Sequence, residues 1–270
     1  MISADKVFSG SIPEFYDTYM VPLIFEAYAE DLAHRVAALG PMSVLEIAAG
    51  SGVVPRALIK HLRPDARYVV TDLSQPMLDY AAKRQVPDMR MEWRQADALI
   101  LPFADDSFDT VLCQYGAMFF PDRTKGYAEA RRVLKNGGSF LFSVWDKIET
   151  NEFADTVNKA AATVFPDNPS QFIARVPHGY FDHDLIRTDL QRAGFSDVEI
   201  VTKEETSRAP SARQVAVAYC QGTPLRTEIE SRDPSSLQHV TDVAAAALEA
   251  RYGTGPVAAK ICAHIVTAIK

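Results

Sequence analysis

The run Val44-Leu-Glu-Ile-Ala-Ala-Gly-Ser-Gly52 constrains the fold more than any other stretch: an apolar strand pattern breaks into a turn of small residues, and a helical pattern follows from Val53 to Leu62. Strand, tight turn and helix in that order open a parallel α/β unit. The alternation then repeats. Strands are expected at about 43–48, 67–72, 90–94, 108–114 and 139–146, with helices between them at about 53–62, 76–84 and 124–135. Further helices are expected at about 151–164, 182–193, 211–221 and 235–251, outside this core, and a loop and helix at 10–39 precede it. A chain of 270 residues, 47% of them hydrophobic, can bury one large core, so a single α/β domain over 1–270 is the natural organisation. Within it we distinguish an N-terminal segment (1–40), a core (41–146) and a further, largely helical part (147–270).

The turn indicates its ligand. Ala48, Gly50 and Gly52 put almost no side chain in the way of a molecule approaching the backbone. The next apolar run ends at Asp72, where a carboxylate at a strand tip can accept both hydroxyls of a ribose. A nucleoside cofactor follows. The dinucleotide fingerprint is incomplete, since Pro55 stands where its third glycine belongs. Glu46 before the turn would repel a pyrophosphate and suits a ligand carrying an ammonium group instead. No Gly-x-x-x-x-Gly-Lys-Ser/Thr occurs, which excludes a P-loop.

Glu46-Ile-Ala-Ala-Gly-Ser-Gly52 resembles the first motif of class I S-adenosylmethionine-dependent methyltransferases, and later segments follow that family's order. Asp72-Leu73-Ser74 with Met77 resembles the second motif and Gln95-Ala96-Asp97-Ala98 the third. Leu101-Pro-Phe-Ala-Asp-Asp-Ser-Phe-Asp109 is similar to the stretch before strand four, and Glu129-Ala-Arg-Arg-Val-Leu-Lys-Asn-Gly-Gly138 to the helix end before strand five. The match is closest to the small-molecule enzymes related to those of ubiquinone and menaquinone biosynthesis, and is strong over about 40–146. The resemblance implies a Rossmann-like, seven-stranded, mostly parallel sheet with helices on both faces and helical lid insertions. It adds strands near 196–205 and 260–269, the last antiparallel. It also implies that Glu46, Ala48, Ala49, Gly50, Ser51 and Gly52 hold the methionine end, and that Asp72 holds the ribose. Ala96, Asp97 and Ala98 would meet the adenine, with Leu73, Met77 and Gln114 flanking the cofactor. The cofactor would be S-adenosylmethionine and its product S-adenosylhomocysteine. Two departures stand out: Ala48 replaces the family's first glycine, so the turn must adopt an angle alanine tolerates, and Asn136 replaces a proline at what reads as a helix end.

Tyr16 and Tyr19 fall in a segment that resembles the family's aromatic closure over the cofactor. Aromatic faces stabilise a cationic sulfonium. Tyr115, Met118, Phe119 and Phe120 follow strand four, where substrate-facing residues stand; half of them should be ordinary core. Candidates for a catalytic role are Tyr16, Tyr115 and His178, the last in a Gly/Pro turn where histidine is more often structural. His61 reads as a surface residue at a helix end, and Glu204-Glu205 as the solvated end of a strand.

Composition limits the partners. A net charge of −7 with dispersed basic residues disfavours nucleic acid, as does Gln114-Tyr115-Gly116 at the end of strand four. The three cysteines, Cys113, Cys220 and Cys262, lack metal or disulfide spacing, so no metal is expected, and Cys113 reads as core. No run of about 18 apolar residues and no signal sequence is found, which makes a cytoplasmic monomer or homodimer the default, without membrane insertion. The expected activity is methyl transfer to a C, N or O atom of a small, apolar or aromatic metabolite. A nicotinamide-dependent oxidoreductase and a non-catalytic binding protein on the same fold are the alternatives.

Overall fold

The computed structural model describes residues 12–270; the expectation of no signal sequence falls on Met1–Gly10, outside the described residues. Helix α1 (Ile12–Phe15) runs into a π-helix (Tyr16–Phe25) and then α2 (Glu26–Ala38). The core follows as β1 (Ser43–Glu46), α3 (Val53–Leu58), β2 (Arg67–Asp72), α4 (Gln75–Arg84), β3 (Met91–Gln95), β4 (Phe108–Gln114), α5 (Arg123–Val133) and β5 (Leu134–Trp145). The rest comprises α6 (Glu152–Val164), α7 (Phe172–Arg175), α8 (His183–Arg192), β6 (Asp197–Ala209), α9 (Ala212–Gln221), α10 (Leu225–Arg232), α11 (Leu237–Tyr252) and β7 (Val257–Ile269).

The strands form one seven-stranded sheet in the order β3-β2-β1-β4-β5-β7-β6. Strand order reverses at β1, between β2 and β4, which pair with it in parallel through Glu46↔Val70 and Glu46↔Leu112. That reversal is a topological switch point, where open α/β sheets bind ligands at the strands' carboxyl ends. Strand β7 runs antiparallel to β5: the Lys270 N–H donates to the Gly138 carbonyl, and the Gly137 N–H to that of Lys270. The Rossmann-like fold read from the sequence is the observed one.

By internal contacts the chain divides into two compact units. One holds Glu26–Val144, Tyr180–Lys203 and Ala263–Lys270. Its core on one sheet face joins Ala29, Leu32, Ala33 and Val36 of α2 and Ala57 and Leu58 of α3 to Val44, Tyr68, Val70 and Leu112 of the strands. The central strands β1, β2 and β4 are buried nearly throughout, so they read as continuous apolar runs rather than as alternation. The other unit takes the chain up to Phe25 with Trp145–Gly179 and Glu204–Cys262. In it α9, α6 and α11 pack together, and the π-helix packs on α9. Asn151 ties this unit internally, donating to the Cys262 carbonyl at 3.1 Å and accepting from the Cys262 N–H at 3.0 Å. Among the described residues no helix is long and apolar enough to cross a membrane.

Several boundaries differ from expectation for local reasons. Residues 12–38 are helical without a break, and Pro22 lies inside the π-wound turn. Proline has no N–H to give and crowds the carbonyl four residues back, and a widened π turn relieves that clash. Helix α3 stops at Leu58, so His61 lies in the turn beyond it. Helix α5 stops at Val133 rather than 135, and Asn136 sits in extended chain before Gly137 (φ 77°). Glu204 and Glu205 lie within β6 rather than at its end, with Glu204 2.6 Å from Lys260.

Candidate functional site

Strand β1 ends at Glu46, and the chain leaves the sheet under tight backbone control. The Ile47 N–H donates to the Leu112 carbonyl at 2.8 Å, and the Ala49 N–H to that of Thr71 at 2.9 Å. The Thr71 hydroxyl donates to the Glu46 carbonyl at 2.7 Å. The turn is thus clamped by both neighbouring strands. It then winds left-handed: φ is 57° at Ala48, 57° at Gly50 and 81° at Gly52. A Cβ on Gly52 would stand 2.9 Å from the Ala81 Cβ, so only glycine lets α4 approach this closely.

Ala48 pays for its place in this turn. A left-handed alanine costs about 1–2 kcal/mol, because its Cβ crowds the following carbonyl. Tyr115, just past β4, is also left-handed, at φ 55°. Tyr115 is followed by Gly116, where a Cβ would stand 2.5 Å from the Ala48 Cβ and 2.8 Å from the Cys113 Sγ. The methyl group that replaces the usual glycine is therefore accommodated by an absent side chain at 116. Gly116→Ala should destabilise the protein by about 1–3 kcal/mol through overpacking. Ala48→Gly should be neutral to stabilising, by up to about 1 kcal/mol, as the strain is relieved against glycine's extra chain entropy. Equilibrium urea unfolding of both variants checks the pair; Gly116→Ala at parental stability would show that the contact is soft.

Glu46 is 1% exposed, and the Tyr68 hydroxyl donates a short hydrogen bond to its Oε2. Burial pushes its carboxyl up to about 8; the Tyr68 hydrogen bond and the Arg56 charge oppose this, and the Asp72 charge adds to it. Such a group calls for a cation before it ionises. Asp72 lies at the tip of β2, half-buried, with Oδ2 accepting from the Gly50 N–H at 2.8 Å and Oδ1 from the Ser74 N–H at 2.7 Å. Burial raises its carboxyl too, against the Ser74, Gly50 and Leu73 amides. Ser51 is buried with its Oγ lacking a hydrogen-bond partner among the described residues, and its carbonyl accepts from Arg56 at 2.7 Å. A sealed carboxylate, an orphaned hydroxyl and a turn stripped of side chains fit an amino-acid-bearing nucleoside at this place.

The other residues expected at the cofactor stand on the same unit. Met77 is buried on α4, and its Cε would lie 3.7 Å from a Cβ on Gly50. Leu73 is exposed, its carbonyl accepting from Gln95 at 2.8 Å. Asp97 is exposed between buried Ala96 and Ala98, and its Oδ1 accepts from the Leu99 N–H at 2.9 Å. Gln114 is buried at the end of β4, paired with Ser143 of β5. Tyr115 is buried, edge-on to Tyr28 with ring centroids 5.9 Å apart. Met118 is buried, whereas Phe119 and Phe120 are half-buried.

Tyr16, Tyr19 and His178 belong to the second unit. Tyr16 stacks on Phe25 at 5.1 Å, and Tyr19 meets Phe15 at 5.5 Å. His178 is buried 6.1 Å from Trp145, with Nδ1 2.8 Å from the Asp146 carbonyl. That contact requires the proton on Nδ1. Burial lowers its pKa to about 4 despite the Asp146 carbonyl and the Asp146 and Glu149 charges, so the ring is neutral. Sequence reasoning missed Tyr68, Thr71, Arg56 and Gly116 as the supports of the turn. None carries a motif signal, because each acts through a contact across strands or from a helix. Cys113 is buried in β4 with its thiol pushed up to about 12 by burial, an inert core residue as expected.

Comparison with known proteins gives the family. A methyltransferase-domain family model matches residues 45–142. The chain is 32% identical to a demethylmenaquinone methyltransferase of Clavibacter sepedonicus over 173 residues, covering 61% of this chain and 69% of that protein. It is 27% identical to a ubiquinone/menaquinone biosynthesis C-methyltransferase UbiE of Dinoroseobacter shibae, covering 64% and 72% respectively. Among solved structures it resembles a Haemonchus contortus phosphoethanolamine N-methyltransferase held with S-adenosylhomocysteine. That likeness (TM-score 0.60, 16% identity, 100% of this chain and 61% of that one) concerns the fold alone. The nicotinamide oxidoreductase alternative falls with these matches. The chain belongs to the class I S-adenosylmethionine-dependent methyltransferases, in the group related to the ubiquinone and menaquinone enzymes.

Proposed function

We propose that this enzyme methylates a carbon of a small aromatic ring of the quinol type. The observation that carries the proposal is the chain's relation, at 32% identity across most of its length, to an enzyme named for demethylmenaquinone. An apolar aromatic row in the second unit supports it. Tyr16 stacks on Phe25, Phe25 lies 5.9 Å from Trp145, and Trp145 borders His178. Flat apolar molecules are held by such faces.

S-adenosylmethionine supplies the methyl group on a sulfonium, to be displaced in line by the acceptor. In our assignment Ala48–Gly52 receive the methionine end against bare backbone, and Ser51 offers its buried hydroxyl. Glu46 supplies negative charge beneath the turn. Asp72 accepts the ribose hydroxyls, Asp97 and the backbone at Ala96 and Ala98 receive the adenine, and Leu73, Met77 and Gln114 flank it. The family resemblance assigns Tyr16 and Tyr19 to the cofactor as well. Orientation and exclusion of water could together supply roughly 7–11 kcal/mol of the barrier, without a catalytic dyad. Neutral His178 holds its proton on Nδ1, which leaves Nε2 to accept a hydrogen bond from a phenol hydroxyl. The enzyme is expected in the cytoplasm, as a monomer or homodimer, without nucleic acid.

The test is incubation with methyl-labelled S-adenosylmethionine and a panel of naphthols, quinols, catechols and amines. Ring-carbon label in a quinol, located by NMR, is expected. Label on oxygen or nitrogen alone would move the acceptor atom, and label in RNA or protein in preference to the panel would sink the small-molecule reading.

A further inference from the structure

Away from the cofactor turn, three side chains with metal-ligating atoms converge on one side of the α2–α3 layer. They are Glu30 and His34 of α2 and His61 of the turn after α3. One carboxylate oxygen and one ring nitrogen from each imidazole lie within 4.8 Å of one another. The two imidazoles sit with ring centroids 4.7 Å apart and planes tilted by 49°. Nothing in the methyltransferase reaction uses these groups.

We propose that Glu30, His34 and His61 bind a divalent cation, zinc or a neighbouring late first-row metal. Two imidazoles and a carboxylate are a donor set suited to such ions, and three protein ligands leave a fourth, tetrahedral position for water. The carriers of these ligands are rigid. Glu30 and His34 are one helical turn apart and so share a face of α2, whose opposite side is anchored by buried Ala29, Leu32, Ala33 and Val36. The turn bearing His61 is held by Arg90, whose guanidinium donates to the carbonyls of Ile59, Leu62 and Arg63 at 2.9–3.1 Å. A further bond, from the His61 N–H to the Leu58 carbonyl at 2.9 Å, fixes its backbone. Ligands on pre-set backbone need only side-chain adjustment to close on an ion. His34 and His61 are exposed, so the ion can enter from solution.

Lys60 is the competitor. Its Nζ lies 2.9 Å from Glu30 Oε1, with both side chains about half exposed. An exposed ion pair of this kind contributes little, and the carboxylate keeps a second oxygen. The bound ion would staple α2 to the end of α3, the helix that begins at the cofactor turn.

The experiment is a titration of the metal-stripped, tag-free protein with Zn²⁺ against a chromogenic chelator. One equivalent with a Kd in the micromolar range or tighter is expected. His34→Ala and His61→Ala should each weaken binding at least about 10-fold. Lys60→Ala should tighten it, since Glu30 is then released from its ion pair. Zn²⁺ should raise the Tm of the parent and leave that of the double variant His34→Ala/His61→Ala unmoved. The double variant keeps His178, His183, His239 and His264, so unchanged affinity there would place the ion elsewhere and overturn the assignment. Absence of a saturable equivalent in the folded parent would do the same. Because the substituted side chains are exposed, circular dichroism and S-adenosylhomocysteine affinity of the variants should match the parent.

Discussion

The cofactor-free enzyme is expected to lose about 2 kcal/mol of folding stability between pH 6.5 and pH 8 through Glu46 alone. The sign follows from where the proton is held. Burial raises the Glu46 carboxyl from 4.5 to about 8 in the folded chain, so the native state keeps a proton that the unfolded chain releases. Its contribution is complete below about pH 4.5, is lost as pH rises toward 8, and sums to roughly 4–5 kcal/mol. His178 runs the other way: buried neutral, its pKa lowered from 6.5 to about 4, it adds stability that is lost as pH falls through that interval. The two slopes offset each other below about pH 6.5, so the fall shows cleanly only above it. Chemical denaturation at the two pH values reads it, and Glu46→Gln should remove most of the slope. An equal slope in that variant would place the titration elsewhere. The same proton governs binding in our assignment. A cationic methionine end favours ionised Glu46, so S-adenosylhomocysteine should bind about tenfold more tightly at pH 8 than at pH 6.5, and Glu46→Gln should flatten that dependence.

Asp72→Ala is expected to weaken S-adenosylhomocysteine binding by roughly 10- to 150-fold. Hydrogen bonds to a charged group contribute about 1.5–3 kcal/mol each, and one carboxylate meeting a ribose makes at least one. Asp72 also orders the turn from within, since it accepts from the Gly50 and Ser74 amides. Asp72→Asn separates the roles. It retains an oxygen for one amide but loses the charge, so it should bind more weakly than the parent while unfolding near the parental midpoint. Calorimetric affinity near the parental value in Asp72→Ala would remove this residue from the site.

The order of strands and helices was legible in the chain because buried parallel strands leave unbroken apolar runs. Val44–Leu45, Tyr68–Val70 and Val111–Cys113 are of this kind, and β2 and β4 fall at the expected bounds. The glycine-rich turn was equally plain, since its small residues and two strand-end acids are local features. Helix ends were less legible: α3 and α5 stop short of their expected ends, with a turn following α3 and Leu134 opening β5 directly after α5. The extent of the π-helix depended on how Pro22 is accommodated, which no periodicity reports.

By itself the sequence carried the order of the core elements and a turn suited to a nucleoside, because hydrophobic period, glycine and strand-end acids act over a few residues; the resemblance to a family supplied which nucleoside. The tertiary structure decided what those residues become. Ala48 is left-handed and tolerated because Gly116, from another strand end, has no side chain. Glu46 is a proton-holding group because burial in the core seals it from water, against the opposing Tyr68 hydrogen bond. Glu30, His34 and His61 form a cluster only because α2 packs on α3. Contacts between residues distant in sequence set strain, proton affinity and ligand geometry, and those contacts exist only once the chain has folded.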